Sequence, residues 1–220
     1  MQFAMEELTE AFAQETGLAA KMVVGSSGKL TAQIIAGAPY DVFLSADIKY
    51  PEMLHSKGLT KGNLKNYAEG KLVLWSLKEN VSPSMESLSN KNINRIAIAN
   101  PDLAPYGSAA MEELKASNDY AAIEDKLVIG ESISQVNQFV VSGAADIGFT
   151  AKSVVLSLSM NGKGKWVEVN SGLHKPIIQS AVVIKRGTDK NKQSEQFVDF
   201  LFSEGAKKIL TKFGYSVVEE

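Results

Sequence analysis

The chain has 220 residues, of which 45% are hydrophobic and 22% are charged, and its formal net charge is −2. It contains no cysteine, which excludes disulfides, thiolate catalysis and zinc–thiolate sites. The lack of a basic excess argues against binding to a nucleic-acid backbone or an acidic membrane surface. No apolar run approaches the roughly 20 residues of a membrane span. The length is large for one simple core and suits two small lobes.

Short apolar strands alternate with helices along the whole chain. Helices are predicted at 3–15, 28–36, 48–58, 107–117, 132–143, 151–160 and 190–213, with Gly205 as a candidate break in the last. Strands are predicted at 20–24, 41–45, 71–77, 96–100, 127–131, 145–150, 166–169, 180–185 and 215–218. Such alternation is typical of parallel sheets with right-handed crossovers. We therefore predict an α/β fold with mostly parallel sheets.

The domain boundaries are predicted inside strands, because no linker interrupts the chain. The candidate strands are KLVLWSL at 71–77 and SAVVIK at 180–185. Two crossings make one lobe discontinuous. We predict lobe 1 at 1–74 plus 183–220 and lobe 2 at 75–182, a topology that suits hinge closure around a ligand.

Three segments share one pattern, in which a strand and a small polar or glycine-containing turn lead into a helix. They are VVGSSGKL at 23–30, IANPDLAPYGSAA at 98–110 and GESISQVNQ at 130–138. The unpaired amides at a helix start carry partial positive charge and bind oxyanions without a formal cation. In open parallel sheets, ligands gather at the carboxyl ends of the strands. The recurrence of the pattern therefore indicates an anion site.

The first of these turns offers two hydroxyl groups. Ser26 and Ser27 lie in GSSG, where they can cap the helix, donate hydrogen bonds to a ligand, or do both. Taken alone, the motif fits a plain capped turn equally well.

The other two turns offer backbone amides. In APYGS, Pro105 fixes the entry to the helix, Gly107 leaves room, and the amide of Tyr106 or Gly107 can face a ligand. In ESIS, Ser132 is an ordinary helix N-cap and the amide of Ile133 is an unpaired donor. Each motif by itself is also explained by loop or cap chemistry, so the prediction depends on their recurrence.

Catalytic and metal-binding motifs are absent from the sequence. There is no HExxH, phosphate-binding loop, GxGxxG or GxSxG pattern. His55 and His174 are far apart in sequence and are interpreted as surface residues, and Asp41 and Asp47 flank a strand in a structural role. We therefore predict neither an enzyme nor a site for a metal cation.

Six segments in order carry a resemblance to a known family. They are GSSGKLTAQIIAGAPYDVFLSAD (25–47), KLVLWS (71–76), NPDLAPYG (100–107), GESISQVNQFVVSGAADIGF (130–149), LHKPIIQSAVVIK (173–185) and FVDFLFSEGAKKILTKFGY (197–215). Together they resemble the periplasmic molybdate-binding proteins of ABC transporters. The resemblance implies the type II periplasmic-binding-protein fold, with two α/β lobes joined by two crossing strands and a ligand cleft between them.

The resemblance also implies the ligand and its donors. Molybdate or tungstate would be held only by neutral hydrogen-bond donors, and no cofactor would be needed. The matching positions are Ser27, the backbone amides of Tyr106 and Ile133, and Ser26 as a helping neighbour. Some family members add a tyrosine hydroxyl where this chain has Ala151. Molybdenum would thus be bound only as its oxyanion.

The expected partner is an inner-membrane ABC permease, and the protein is expected to be a monomer that binds no nucleic acid. The resemblance implies a periplasmic protein or a cell-surface lipoprotein, with the signal segment absent from this chain. The first strand of lobe 1, which in the family ends in Asn or Ser, would fall before Met1 and is expected to be missing. The alternative function is the effector-sensing domain of a transcription regulator with the same fold, which would carry a helix-turn-helix segment.

Overall fold

The computed structural model describes residues 1–116, 120–170, 172–186 and 188–217. The chain forms two compact units: unit 1 comprises Met1–Gly70 and Ile178–Glu220, and unit 2 comprises Lys71–Ile177. The chain therefore changes unit at 70/71 and 177/178, a few residues before the changes predicted at 74/75 and 182/183. The difference arises because the chain changes unit at the beginning of the strands at 72–76 and 177–184, and not in their middle.

The helices of the described residues are α1 (Gln2–Thr16), α2 (Ser27–Ile35), α3 (Lys49–Ser56), α4 (Pro105–Ala116), α5 (Tyr120–Ile123), α6 (Ile133–Val141), α7 (Lys152–Val155), α8 (Thr188–Phe200) and α9 (Glu204–Lys212). The strands are β1 (Val42–Ser45), β2 (Thr60–Gly70), β3 (Leu72–Ser76), β4 (Ile96–Ala99), β5 (Leu127–Gly130), β6 (Ile147–Ala151), β7 (Lys165–Glu168), β8 (Ile177–Ile184) and β9 (Ser216–Val217). Two short 3-10 turns lie at Glu86–Ser89 and Glu124–Lys126.

One predicted strand is absent from the structure, and one observed strand was not predicted. The prediction of a strand at 20–24 is wrong: none of the described strands pairs with this segment, and Val23 is 54% exposed. An apolar stretch becomes a strand only where a partner satisfies its backbone. Conversely, β2 was missed because TKGNLKNYAEG is polar and carries no clear alternation.

Some helices and strands also begin or end at residues other than those predicted. The long C-terminal helix is broken after Phe200 rather than at Gly205, because Ser203 caps α9 by accepting a hydrogen bond from the Ala206 amide. The predicted helix at 151–160 is reduced to the four residues of α7. Residues 117 and 218, where a helix and a strand were predicted to end, lie outside the described residues.

The sheet of unit 1 has four strands in the order β1-β8-β2-β9. Alternate residues of β8 face opposite sides of this sheet, as strand geometry requires. Ala181 and Val183 pack with α1, α8 and α9, whereas Val182 and Ile184 pack with α2 and α3. Unit 1 therefore has a helical layer and a core on each face of its sheet.

The sheet of unit 2 has five strands in the order β5-β4-β6-β3-β7. Strand β4 pairs in parallel with both β5 and β6, while β3 pairs antiparallel with β6 and β7. Helix α6 lies so close to β6 that a Cβ atom on Gly148 would come within 2.8 Å of the Val140 side chain. A glycine is therefore needed there for close packing of helix and sheet.

The sheet of unit 2 is mixed and the described pairs of unit 1 are antiparallel, so the prediction of mostly parallel sheets is corrected. In unit 1, β1 is antiparallel to β8 and β2 is antiparallel to β9. The crossover rule applies to strands that are joined by a helix within one sheet. Strands β3 and β8 instead begin where the chain passes from one unit to the other, so alternation with helices does not determine their direction.

Asp146 joins three segments of unit 2. Its carboxylate forms an ion pair with Lys78 and accepts hydrogen bonds from the amides of Asn94 at 2.6 Å and Arg95 at 2.9 Å. Burial would raise the pKa of Asp146, but the hydrogen bonds from Lys78 and the two amides outweigh it and hold this pKa below its ordinary value. The ionised carboxylate therefore stabilises the folded unit.

We expect Asp146→Asn to lower the free energy of unfolding by about 1–3 kcal/mol at neutral pH, because charge-assisted hydrogen bonds are lost. A carboxyl with a lower pKa in the folded state stabilises above its unfolded pKa, and this contribution is lost as the pH falls through the folded pKa. The difference between wild type and variant should thus shrink below about pH 4. Urea unfolding across pH, with Glu168→Gln as a control for an exposed ion pair, measures this. A difference in the free energy of unfolding between wild type and Asp146→Asn that grows on acidification would contradict this prediction.

Candidate functional site

The start of α2 is the first predicted anion site, and its side chains do not cap the helix. Ser26 occupies the N-cap position with extended backbone, and its carbonyl accepts the first helical bond from the Leu30 amide at 3.0 Å. No side-chain capping bond is formed. The amides of Ser27 and Gly28 donate to no acceptor within the described residues. The alternative of a plain capped turn is therefore not what the structure contains.

The Ser26 hydroxyl is buried without a hydrogen-bond partner. Ser26 is 5% exposed, and its Oγ contacts no donor or acceptor among the described residues. Such a group carries a desolvation penalty of about 1–3 kcal/mol. Most buried polar groups are paired, and an unpaired one calls for a physical explanation. An anionic ligand that accepts a hydrogen bond from the Ser26 hydroxyl would provide that explanation.

The Ser27 hydroxyl is also buried, but it already accepts a hydrogen bond. Ser27 is 7% exposed, and its Oγ accepts from the Ala46 amide at 3.3 Å, which links α2 to the turn after β1. A hydroxyl group that accepts still keeps its own proton. Within the described residues this proton has no acceptor, so Ser27 can still donate to a ligand.

The turn that presents Ala46 is built around Asp47, a residue to which sequence reasoning gave no part in the site. The Ser45 hydroxyl donates to Asp47 Oδ1 at 2.9 Å, and the Tyr50 amide donates to the same oxygen at 3.3 Å. Burial raises the pKa of Asp47, although these hydrogen bonds and Lys49 partly oppose the rise. The only signal in the sequence was a carboxylate at the end of a strand, which is common in structural turns.

In unit 2, the parallel pair of β4 and β5 brings two helix starts to one edge of the sheet. Ala99 and Gly130, the last residues of the two strands, are in register, and the Asn100 amide donates to the Gly130 carbonyl at 2.7 Å. Helix α4 begins at Pro105 and α6 at Ile133, shortly after these strand ends. The predicted sites at Tyr106 and Ile133 therefore lie at the same edge of one sheet.

Tyr106 is in the first turn of α4, directly after Pro105 at the first helical position. Its side chain is buried at 5% exposure, so its backbone is firmly placed. The next residue, Gly107, lies against the end of β4: a Cβ atom there would be 2.2 Å from the Ala99 carbonyl oxygen. This close approach explains the glycine and determines where the Tyr106 amide lies.

Ile133 is the first residue of α6, and Ser132 caps that helix. The Ser132 hydroxyl accepts from the Gln135 amide at 3.3 Å, so the capping bond goes to the third residue of the helix and not to the first. The Ile133 amide has no acceptor within the described residues. The interpretation of Ser132 as an ordinary cap is confirmed, and the Ile133 amide stays available to a ligand.

Ala151 and the two histidines add no side-chain donor to these helix starts within the described residues. Ala151, which ends β6, is 1% exposed and offers no side-chain donor. His55 contacts Thr60 and His174 contacts the Lys175 carbonyl. Among the described residues no group of three or more His, Cys, Asp or Glu is arranged to hold a metal ion. None of the helices in this part of the chain has the length and apolarity for a membrane span.

The model of the family described as bacterial extracellular solute-binding protein matches residues 1–216. The chain belongs to this family. Molybdate-binding protein ModA of Rhodobacter capsulatus is 37% identical over 211 residues, which are 96% of this chain and 82% of that protein. ModA of Azotobacter vinelandii is 37% identical over 215 residues, 97% of this chain and 85% of that protein. The solved periplasmic molybdate-binding protein of Azotobacter vinelandii matches with a TM-score of 0.90 and 35% identity, covering 98% of this chain and 95% of its own.

These similarities confirm the predicted resemblance and the α/β fold class of this solute-binding protein. None of the three relatives is named as a transcription regulator, so the alternative function gains no support from them. The four predicted donors fall into two pairs: Ser26 and Ser27 are neighbours in unit 1, and Tyr106 and Ile133 share a sheet edge in unit 2.

Serine substitutions should separate a ligand donor from a structural cap in this solute-binding protein. We expect Ser26→Ala to leave the unliganded protein as stable as wild type or more stable, because an unpaired buried hydroxyl is removed. Ser132→Ala removes a cap and should lower the free energy of unfolding by about 0.5–2 kcal/mol. Denaturant unfolding without ligand measures both. A loss of stability in Ser26→Ala equal to that in Ser132→Ala would show that Ser26 is structural.

Substitution of Gly107 should disturb the start of α4. The added methyl group of Gly107→Ala would clash with the Ala99 carbonyl, so the helix must shift at a stability cost of about 1–3 kcal/mol. Gly205→Ala is the matched control, since a Cβ atom there would meet no atom nearer than 3.8 Å. In thermal unfolding, Gly107→Ala should therefore have a lower melting temperature than Gly205→Ala. Equal melting temperatures would mean that the helix start tolerates displacement.

Proposed function

We propose that this chain is the solute-binding component of an ABC uptake system for molybdate, with tungstate as an alternative ligand. The observation that most supports the proposal is its 37% identity, over 96% of its length, to a protein named as molybdate-binding. The proposed role is to bind the oxyanion and release it unchanged, without catalysis and without a cofactor. The proposed partner is an inner-membrane permease, and the proposed location is the periplasm or the cell surface.

The proposed donors are all uncharged. They are the hydroxyls of Ser26 and Ser27 and the backbone amides of Tyr106 and Ile133. A net charge of −2 means that no positive field of the whole protein attracts the anion, so local donors must replace its hydration. Each charge-assisted hydrogen bond contributes about 1.5–3 kcal/mol net. Several such bonds together support a micromolar or tighter dissociation constant.

The donor chemistry also favours some anions over others. Molybdate and tungstate are fully deprotonated tetrahedral dianions at neutral pH, so every oxygen can accept a hydrogen bond. A protonated phosphate brings a proton that needs an acceptor, whereas the two backbone amides can only donate and the two serine hydroxyls are proposed to donate to the ligand. Sulfate has the same charge as molybdate but is smaller, so we propose that the spacing of the donors discriminates against it.

Isothermal titration with molybdate, tungstate, sulfate and phosphate tests the proposal. Molybdate and tungstate should bind with similar affinity, and sulfate and phosphate much more weakly. Ser27→Ala should weaken molybdate binding by about 10- to 100-fold, the equivalent of one charge-assisted hydrogen bond. Ser56→Ala is the matched control, because Ser56 is exposed and its hydroxyl bonds only within α3. Absence of heat with molybdate, or equal binding of all four anions, would refute the function.

A further inference from the structure

We propose that Asp47 is a positioning residue for the ligand site: it holds the turn after β1 so that the Ala46 amide orients the Ser27 hydroxyl toward the anion. This inference rests on the proposed function. Asp47 itself contacts no ligand in the proposal, and it acts through the two residues named.

The turn is closed by one carboxylate oxygen. Ser45, which is 1% exposed, donates from its hydroxyl to Asp47 Oδ1 at 2.9 Å and accepts from the Asp47 amide at 3.3 Å. The Tyr50 amide, in the first turn of α3, donates to the same Oδ1 at 3.3 Å. Asp47 therefore ties the end of β1 to the start of α3, with Ala46 held between Ser45 and Asp47.

The turn is connected to the proposed ligand site by the hydrogen bond between Ala46 and Ser27. The Ala46 amide donates to Ser27 Oγ at 3.3 Å, across 19 residues of sequence. Once one lone pair of the hydroxyl is occupied, the favourable directions for its proton point away from Ala46. A donor oriented before binding loses less freedom when the ligand arrives. The bond from Ala46 should therefore increase the affinity contributed by Ser27.

The charge of Asp47 acts against the same ligand. A carboxylate near a dianion raises the free energy of the complex, and among the neighbouring charges Lys49 opposes that effect while Glu52 adds to it. The residue thus has a favourable geometric role and an unfavourable charge. Asparagine keeps the accepting oxygen and removes the charge, whereas alanine removes both, so the two substitutions separate the roles.

Molybdate titrations of Asp47 variants in the full chain test the inference. Asp47→Ala should bind molybdate about tenfold more weakly, the size expected for one poorly oriented hydrogen bond. Asp47→Asn should bind as tightly as wild type or more tightly. Ser45→Ala keeps the carboxylate but removes two hydrogen bonds of the turn, so it should also weaken binding and serves if Asp47→Ala does not fold. Asp199→Ala, which removes an exposed carboxylate paired with Lys65, should leave affinity unchanged.

A double-mutant cycle shows whether Asp47 acts through Ser27. In a Ser27→Ala background, Asp47→Ala should weaken binding by less than about twofold, because the group that it orients is gone. A tenfold loss in both backgrounds, or equally weak binding by the alanine and asparagine variants, would overturn the inference alone. Failure of the wild type to bind molybdate would instead overturn the proposed function and this inference with it.

Discussion

The parallel pairing of β4 with β5 is the constraint on which the sites of unit 2 depend. Because Ala99 and Gly130 end their strands in register, the two following helices must begin at the same edge of the sheet. The absence of a side chain at Gly107 then lets α4 lie directly against the Ala99 carbonyl. Backbone geometry therefore brings the Tyr106 and Ile133 amides to the same edge of the sheet, and the buried side chain of Tyr106 helps to hold its backbone there.

Unit 1 reaches a comparable result by different means. Helix α2 follows residues 18–26, which form no strand, so no ladder of backbone hydrogen bonds fixes where the helix begins. Its start is instead held to the turn after β1 by the bond between Ser27 and Ala46. Side chains take over the positioning that the sheet provides in unit 2.

How far the sequence could predict these sites depended on the range of the interactions. Pro105 and Ser132 are local signals for a helix start: Ser132 caps α6 as predicted, whereas α4 begins at Pro105, two residues before its predicted start at 107. The strand predicted at 20–24 failed because strand formation depends on a partner that apolar composition does not reveal. The contribution of Asp47 was out of reach for a similar reason, since it passes through a contact between residues 27 and 46 that exists only in the folded unit.

The unpaired Ser26 hydroxyl connects stability to binding. Because it is buried and has no partner among the described residues, we expect the unliganded protein to be less stable than a chain with an apolar residue there. A ligand that accepts a hydrogen bond from this hydroxyl removes that penalty only in the complex, and the gain is part of the binding free energy by which the ligand stabilises the folded state. A charged side chain at this position would attract anions of any shape. A neutral hydroxyl stabilises only an anion whose oxygen lies at hydrogen-bond distance. Selectivity among anions of equal charge requires this dependence on geometry.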